Sequence, residues 1–122
     1  MNAMPGQREG NERNILMRVK PDSGTISLVG FALRARQVAL GFEAVRRAAN
    51  HGKLAGVMVT ADISSHTLEK VVRTMAHLHV PVFQTDPSVN WEVHWGIDTH
   101  KILGLRKSEL GRTIIKKFKA GA

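Results

Sequence analysis

The chain has 122 residues, which is enough for one domain with one buried core and too few for two domains of ordinary size. Its 18 Lys and Arg against 10 Asp and Glu give a formal net charge of +8, an excess that favours polyanionic partners and nucleic acid above all. The absence of cysteine excludes disulfides and thiolate chemistry, and because no apolar run approaches the roughly 18 residues of a membrane helix, we expect a cytoplasmic protein without membrane contact.

The first part of the chain is predicted to be an N-terminal arm over residues 1–24. Residues 1–14 are rich in Gly, Asn and charged side chains and have no apolar period, which predicts a mobile segment. Within the arm, residues 15–19 can pair as a short edge strand, and residues 21–24 are expected to break the chain. Residues 25–122 are then predicted to form a single folded domain.

A first helix is predicted over residues 27–36. Apolar side chains recur there at positions i, i+3, i+4 and i+7, which is the spacing of a buried helical stripe. The predicted stripe consists of Leu28, Phe31, Ala32 and Ala35. Arg34 and Arg36 are left facing outward, and a short strand over residues 38–40 is expected to follow.

A second helix is predicted over residues 41–51, with Gly41 at its start and Gly52 as its C-cap. The first turn of a helix has backbone N–H groups without intrahelical acceptors and a partial positive charge, so an anionic ligand can bind there. Glycine lets such a ligand approach closely, and Arg46 and Arg47 add fixed charge one turn later. The helix is expected to bury Phe42, Ala44, Val45, Ala48 and Ala49 and to expose Glu43, Arg46, Arg47 and Asn50. This pattern favours a phosphate-bearing partner such as RNA.

The second half of the chain alternates short apolar runs with helical patterns. The predicted elements are strands over residues 54–60, 82–84 and 102–105, a helix capped by Ser64 or Ser65, a turn over residues 86–88, a short helix over residues 89–95 and a last helix capped by Ser108. The continuous apolar character of residues 54–60 suits a strand that is covered on both faces. The order of elements indicates an α/β sandwich.

Four segments of this chain resemble a known family. They are LVGFALRARQVALGFEAVRRAANHGK (residues 28–53), LAGVMVTADIS (54–64), HVPVFQT (79–85) and WGIDTHKILGLRK (95–107). They are similar to the ribosomal proteins that bind kink-turn RNA, the L-seven-Ae and L-thirty-e group, and most of all to its small bacterial members. The resemblance implies a three-layer α/β/α sandwich with a small mixed central sheet, RNA bound across one edge, and a possible place on the ribosome.

The resemblance also implies which residues touch RNA. Gly41 would open the RNA-binding helix, and the loops over residues 61–63 and 96–100 would lie beside it, the second covering an unstacked nucleotide. Basic side chains on both sides of Gly41 are expected to complete one patch. The candidate RNA-binding residues are Arg34, Arg36, Gln37, Gly41, Phe42, Glu43, Arg46, Arg47, Lys53, Asp62, Ile63, Gly96, Ile97, Asp98, Thr99 and His100.

The chain departs from the family pattern in two places. Members that recognise the sheared G·A pairs of a kink-turn usually have Asn-Glu or Lys-Gln after the glycine, where this chain has Glu43 and Ala44. A good pair of base contacts contributes about 1–3 kcal/mol, so we expect altered or relaxed specificity. Trp91 and Trp95 replace small residues before the second loop. Both tryptophans are expected to be core residues, because tryptophan buries a large apolar area.

Two other interpretations of the sequence remain open. The same fold could serve as an adaptor that binds a protein partner through Trp91, Trp95 and Ile97, if these side chains are exposed. The last helix carries Arg112, Lys116 and Lys119 on one face, where they could contact RNA phosphates or could equally be solvated.

Catalysis and cofactor binding have no motif to support them. The sequence has no GxxxxGK[ST], GxSxG, HExxH or DxDxDG pattern, so we expect neither an enzyme nor a cofactor. His77 and His79 are the one histidine pair with a spacing that suggests a metal, and they lack a third ligand nearby, so no metal site is expected.

Overall fold

A computed structural model describes residues 16–121 of the chain. Strands and helices alternate along it: β1 (Leu16–Val19), α1 (Ser23–Arg34), β2 (Val38–Leu40), α2 (Phe42–Asn50), β3 (Leu54–Val59), α3 (Ser65–His77), β4 (Val82–Thr85), α4 (Trp91–Trp95), β5 (Ile102–Arg106) and α5 (Glu109–Gly121). The predicted mobile segment over residues 1–14 lies outside the described residues. Residues 16–24, which the sequence analysis grouped with the arm, contribute β1 and the first turn of α1.

The five strands form one mixed sheet with the order β1-β4-β3-β5-β2. β4 pairs in parallel with both β1 and β3, whereas β5 runs antiparallel to β3 and to β2. The chain therefore leaves β1, β2, β3 and β4, and enters β5, at the same edge of the sheet. We call this the carboxyl edge and the opposite one the amino edge. β1 and β2 are the outer strands, as short runs of three or four residues should be.

Helices cover both faces of the sheet, which confirms the three-layer α/β/α sandwich. On one face, α2 and α3 bury side chains such as Val45, Val71 and Met75 against β3 and β4. On the other face, α1, α4 and α5 enclose a second core. In this core the ring centroids of Phe83 and Phe118 lie 5.1 Å apart. The middle strand β3 is covered on both faces, as its apolar sequence predicts. Among residues 16–121, no helix has the length and apolar character needed to span a membrane.

The first helix differs from its prediction in both position and buried face. It begins at Ser23, four residues early, because Asp22 caps it: the Asp22 carboxylate accepts hydrogen bonds from the backbone N–H and the hydroxyl of Thr25, both at 2.8 Å. It ends at Arg34, before Arg36 adopts a positive φ of 58°. The buried positions are Thr25, Val29 and Ala32, so the prediction that Phe31 and Ala35 belong to the buried stripe is wrong. Thr25 can be buried because Asp22 accepts from its hydroxyl, whereas Ala32 is buried as predicted and Leu28 packs against the core partly buried.

Side-chain caps also fix the starts of the later helices. Ser64 accepts from the N–H of Thr67 at 3.2 Å at the start of α3, and Asn90 accepts from the N–H of Val93 at 3.0 Å at the start of α4. Ser108 accepts from the N–H of Gly111 at 3.0 Å in the first turn of α5, as predicted. The Asn90 cap makes α4 start at Trp91 rather than at residue 89.

Candidate nucleic-acid interface

The start of α2 is open, because Gly41 precedes it and has no side chain to cap it. Gly41 has φ 87° and ψ 160°, a region that is essentially restricted to glycine. Its N–H donates to the carbonyl of Ile102 at 2.9 Å, and its carbonyl accepts from the N–H of Val45 at 3.0 Å. No side chain of the described residues caps the first turn, so its N–H groups have no side-chain acceptor, and the positive end of the helix dipole lies at the carboxyl edge.

The loop over residues 96–101 lies directly beside this helix start. A methyl group built on Gly41 would come within 3.1 Å of Nδ1 of His100, so a larger residue at this position would require the His100 ring to move. The same loop is tied to the end of β3, since the N–H of Thr60 donates to the carbonyl of Lys101 at 3.1 Å. The structure thus brings together the three segments that the sequence analysis singled out at residues 41–43, 61–63 and 96–100.

Within these segments, exposure differs from residue to residue. Ile63 and Ile97 are each only 8% exposed, so their side chains belong to the core and cannot offer an apolar surface to a ligand. Gly96, Asp98, Thr99, His100 and Asp62 are exposed. Between residues 60–62, 87–92 and 97–101 lies a hollow of about 340 Å³, a volume in the range of small-ligand sites.

Charged side chains surround the α2 start in pairs. Nη2 of Arg46 lies 2.7 Å from Oε1 of Glu43, and the ammonium of Lys70 lies 4.3 Å from the centroid of the Phe42 ring. The hydrogen bond and charge of Arg46, and then the charges of Lys70 and Arg47, lower the pKa of Glu43. Glu43 is therefore a carboxylate at neutral pH and occupies Arg46, whereas Arg47 is exposed and forms no ion pair with a described residue.

A second pair lines the hollow itself. Nζ of Lys101 is 3.3 Å from Oδ2 of Asp62, and both side chains are largely exposed. The nearby Thr60 hydroxyl, and then the Lys101 ammonium, lower the pKa of Asp62. An exposed pair of this kind contributes little to stability. Lys101 can therefore leave Asp62 for another anion at a low cost in free energy.

Four residues of the predicted patch lie elsewhere. The antiparallel pairing of β2 places Arg36 and Gln37 at the amino edge, where the N–H of Arg106 donates to the carbonyl of Gln37 at 3.0 Å. Lys53 follows the far end of α2, and its carbonyl accepts from the N–H of Lys107 at 2.9 Å. The nine residues of α2 span about 14 Å at about 1.5 Å per residue, so Lys53 and Gly41 lie at opposite ends of this helix.

Arg34 is the fourth of these residues. Its guanidinium lies over the Phe31 ring at 4.7 Å, near the end of α1. The basic residues near Gly41 in the sequence were predicted to form one patch, but they lie on two separate surfaces. The reason is that β2 and α2 each run from one edge of the sheet to the other.

The two tryptophans are structural in this fold. Trp91 is 4% exposed and its Nε1 donates to Oγ1 of Thr85 at 3.0 Å, which confirms its predicted core role. Trp95 is half-buried and its Nε1 donates to the carbonyl of Ile26 at 2.9 Å. Trp91 and Ile97 do not supply the exposed apolar contact that the adaptor interpretation requires.

The structure adds two residues that the sequence analysis did not include. Lys70 reaches the α2 start from the neighbouring helix, and no sequence signal indicates that packing. Lys101 directly follows His100 and could have been found by extending the loop motif by one residue. Among residues 16–121, no group of three or more His, Asp or Glu side chains is arranged to hold a metal ion. His77 ends α3, and both His77 and His79 are exposed.

Comparison with known proteins extends the description of the fold. No protein-family model matches the sequence, and no similar curated protein was found. A protein with unknown function from Bacillus halodurans is similar in structure, with a TM-score of 0.71 and 23% identity over 80% of this chain and 99% of that chain. A 15.5 kD RNA binding protein from Giardia lamblia is also similar, with a TM-score of 0.62 and 15% identity over 84% of this chain and 94% of that chain. At these identities the likeness establishes the fold.

Proposed function

We propose that this protein binds structured RNA at the carboxyl edge, and that its preferred ligand is a bent, kink-turn-like RNA. The observation that carries the proposal is the uncapped start of α2, held at Gly41 against the loop over residues 96–101. Ligands of open α/β sheets commonly bind outside the carboxyl ends of the strands, which is where this surface lies. A solved structure with this fold is that of an RNA binding protein from Giardia lamblia, and the resemblance of the sequence to kink-turn proteins points the same way.

In this proposal the RNA backbone contacts the first turn of α2. The N–H groups of Phe42, Glu43 and Ala44 face one phosphate, with the positive end of the helix dipole behind them. Arg47 and Lys70 supply neighbouring charges for flanking phosphates. An unstacked nucleotide lies in the hollow beside His100, where the exposed backbone of the loop provides hydrogen-bonding groups.

Base specificity would be weaker than in the family members that this sequence resembles. Glu43 is an ionised acceptor that already accepts from Arg46, and Ala44 has no hydrogen-bonding group. Neither residue has the side-chain amide with which an Asn-Glu or Lys-Gln pair would hydrogen-bond guanine. Most of the affinity would therefore come from phosphate contacts and from the shape of the bend. The role is one of binding rather than catalysis, in the cytosol, with the ribosome as one candidate location.

The test is a titration of the protein with a kink-turn RNA and with a straight duplex of equal length. With about three phosphate contacts, affinity should fall by roughly tenfold or more between about 50 and 200 mM salt. The kink-turn RNA should bind more tightly than the duplex at each salt concentration. A binding constant that does not change with salt, or equal affinity for both RNAs, would contradict the proposal.

A further inference from the structure

A second cationic surface lies on the opposite face of the sheet from α2. Four exposed side chains, Lys107, Arg112, Lys116 and Lys119, line a hollow of about 340 Å³ beside α5. The apolar floor of the hollow is formed by Ala55 and by Ile115, which is 6% exposed. We call these four cations and their floor the α5 surface.

Two glycines let α5 lie close enough to the sheet to form this hollow. A methyl group on Gly56 of β3 would overlap the Ile115 side chain, so the absence of a side chain there admits Ile115 to the sheet surface. A methyl group on Gly111 would overlap the carbonyl oxygen of Arg106, so Gly111 lets the first turn of α5 contact the end of β5. These contacts place Arg112 next to Lys107 at the amino edge.

The cations of the α5 surface outnumber the carboxylates around it. None of its four cations forms an ion pair with a carboxylate of residues 16–121. Seven of the described carboxylates lie at the carboxyl edge or in the first two turns of a helix that begins there. They are Asp22, Glu43, Asp62, Glu69, Asp86, Glu92 and Asp98. Glu109 is the one described carboxylate in α5. The other described carboxylates therefore lie away from the α5 surface, whose four cations face none of them in an ion pair.

We propose that the α5 surface binds the phosphate backbone of a second RNA segment without reading its sequence. Arg112 and Lys119 are seven positions apart, or about 10 Å along the helix axis at about 1.5 Å per residue. A nucleic-acid strand carries one phosphate per roughly 3.4 Å of its axis, so the cations of α5 span about three phosphates. The lining has no aromatic side chain for stacking and no amide or carboxylate for reading base edges.

The same features favour RNA over an anionic membrane. The apolar face of α5, with Ile114, Ile115 and Phe118, is buried in the core and has nothing to insert into a bilayer. Lysine side chains can lay their alkyl stems on an apolar floor and keep their ammonium groups in water, so the phosphates of a soluble polyanion can reach them. This inference goes beyond the proposed function, because the surface lies on the other face of the sheet and would let one chain hold two RNA segments.

The experiment compares two triple variants of the full chain that lose the same charge. One carries R112Q, K116Q and K119Q, and the control carries R34Q, R73Q and K117Q, which belong neither to the α5 surface nor to the carboxyl edge. Each is titrated with a straight duplex RNA, with a kink-turn RNA and with vesicles that contain phosphatidylserine. All six side chains are exposed, so both variants should fold, and circular dichroism verifies that they do.

The α5 variant should bind the straight duplex at least about tenfold more weakly and lose about two to three units of salt slope, whereas the control should lose less than about threefold. Its preference for kink-turn RNA over duplex should persist, because the α2 start is intact. Equal losses in both variants, or unchanged duplex binding by the α5 variant, would overturn the inference while leaving a measured kink-turn preference in place. Vesicle binding that the α5 substitutions abolish, with duplex binding unchanged, would overturn it in favour of a lipid.

Discussion

Replacement of Gly41 by alanine tests the geometry on which the carboxyl-edge site depends. The backbone at φ 87° and ψ 160° is a conformation that costs a non-glycine residue about 1–3 kcal/mol. The new methyl group would also lie 3.1 and 3.3 Å from two ring atoms of His100. His100 is exposed and can rotate away, so this crowding adds a few tenths of a kcal/mol at most to the free energy of the folded state. We expect a loss of about 2 kcal/mol in the free energy of unfolding.

The matching control is Gly52→Ala at the other end of the same helix. Gly52 also has a positive φ, 67°, but no atom lies within 4 Å of a methyl group built on it. Gly52→Ala should therefore cost about 1 kcal/mol from backbone strain alone. Urea denaturation of both variants gives the stability difference, and at about 4 °C per kcal/mol the melting temperature of Gly41→Ala should fall by about 8 °C.

The two variants should differ more clearly in RNA binding. Gly41→Ala displaces His100 and shifts the first turn of α2, so the affinity for kink-turn RNA should fall by about tenfold, or about 1.4 kcal/mol. Gly52→Ala should leave that affinity unchanged. The reasoning fails if Gly41→Ala binds RNA as tightly as the unaltered protein, or if both variants lose affinity to the same extent.

Three further substitutions test individual contacts. Arg47→Ala should lower RNA affinity about fivefold and the salt slope by about one unit, while Lys117→Ala leaves both unchanged in the same titration. Gly111→Ala should cost about 2–3 kcal/mol of unfolding free energy in urea, because its methyl group meets a backbone carbonyl, whereas Gly121→Ala, in open space, should be neutral. The Thr25 N–H and hydroxyl lower the pKa of Asp22 below its ordinary value of 3.8, so Asp22→Ala should be less stable above that pH. That stability difference should narrow as the pH falls through the lowered pKa, and a difference that is constant down to acid pH would contradict the capping role.

The order of elements could be predicted from the sequence because periodicity and caps are local signals. The stretch around β3 is continuously apolar, and Ser64 and Ser108 precede clear helical patterns, so these elements agree with the structure. The start of α1 was mistaken because Pro21 and Gly24 suggest a turn, whereas the Asp22 cap decides the outcome. The buried face of α1 was predicted wrongly for the same reason, because the predicted stripe began at Leu28 and left out Thr25.

The site could be predicted only in part, for a different reason. The segments around Gly41, Asp62 and His100 are far apart in the chain and meet because four strands end, and one begins, at the same edge. The resemblance to kink-turn proteins predicted that these segments lie side by side. The periodicity of the sequence alone could not predict it. Grouping cations by proximity in sequence joined Arg36 and Lys53 to Gly41, although a strand or a helix separates each of them from it. The reach of Lys70 to Phe42 depends on helix packing, which has no sequence signal.

The most direct test of the carboxyl-edge site is to follow the backbone amide resonances of the full chain by NMR while a kink-turn RNA is added. We expect the largest shifts at the amides of Phe42, Glu43 and Ala44 and in the loop over residues 96–101. Amides near the far end of α2, such as Asn50, should move much less. Shifts that are confined to other parts of the chain, with the first turn of α2 unchanged on saturation, would contradict the account.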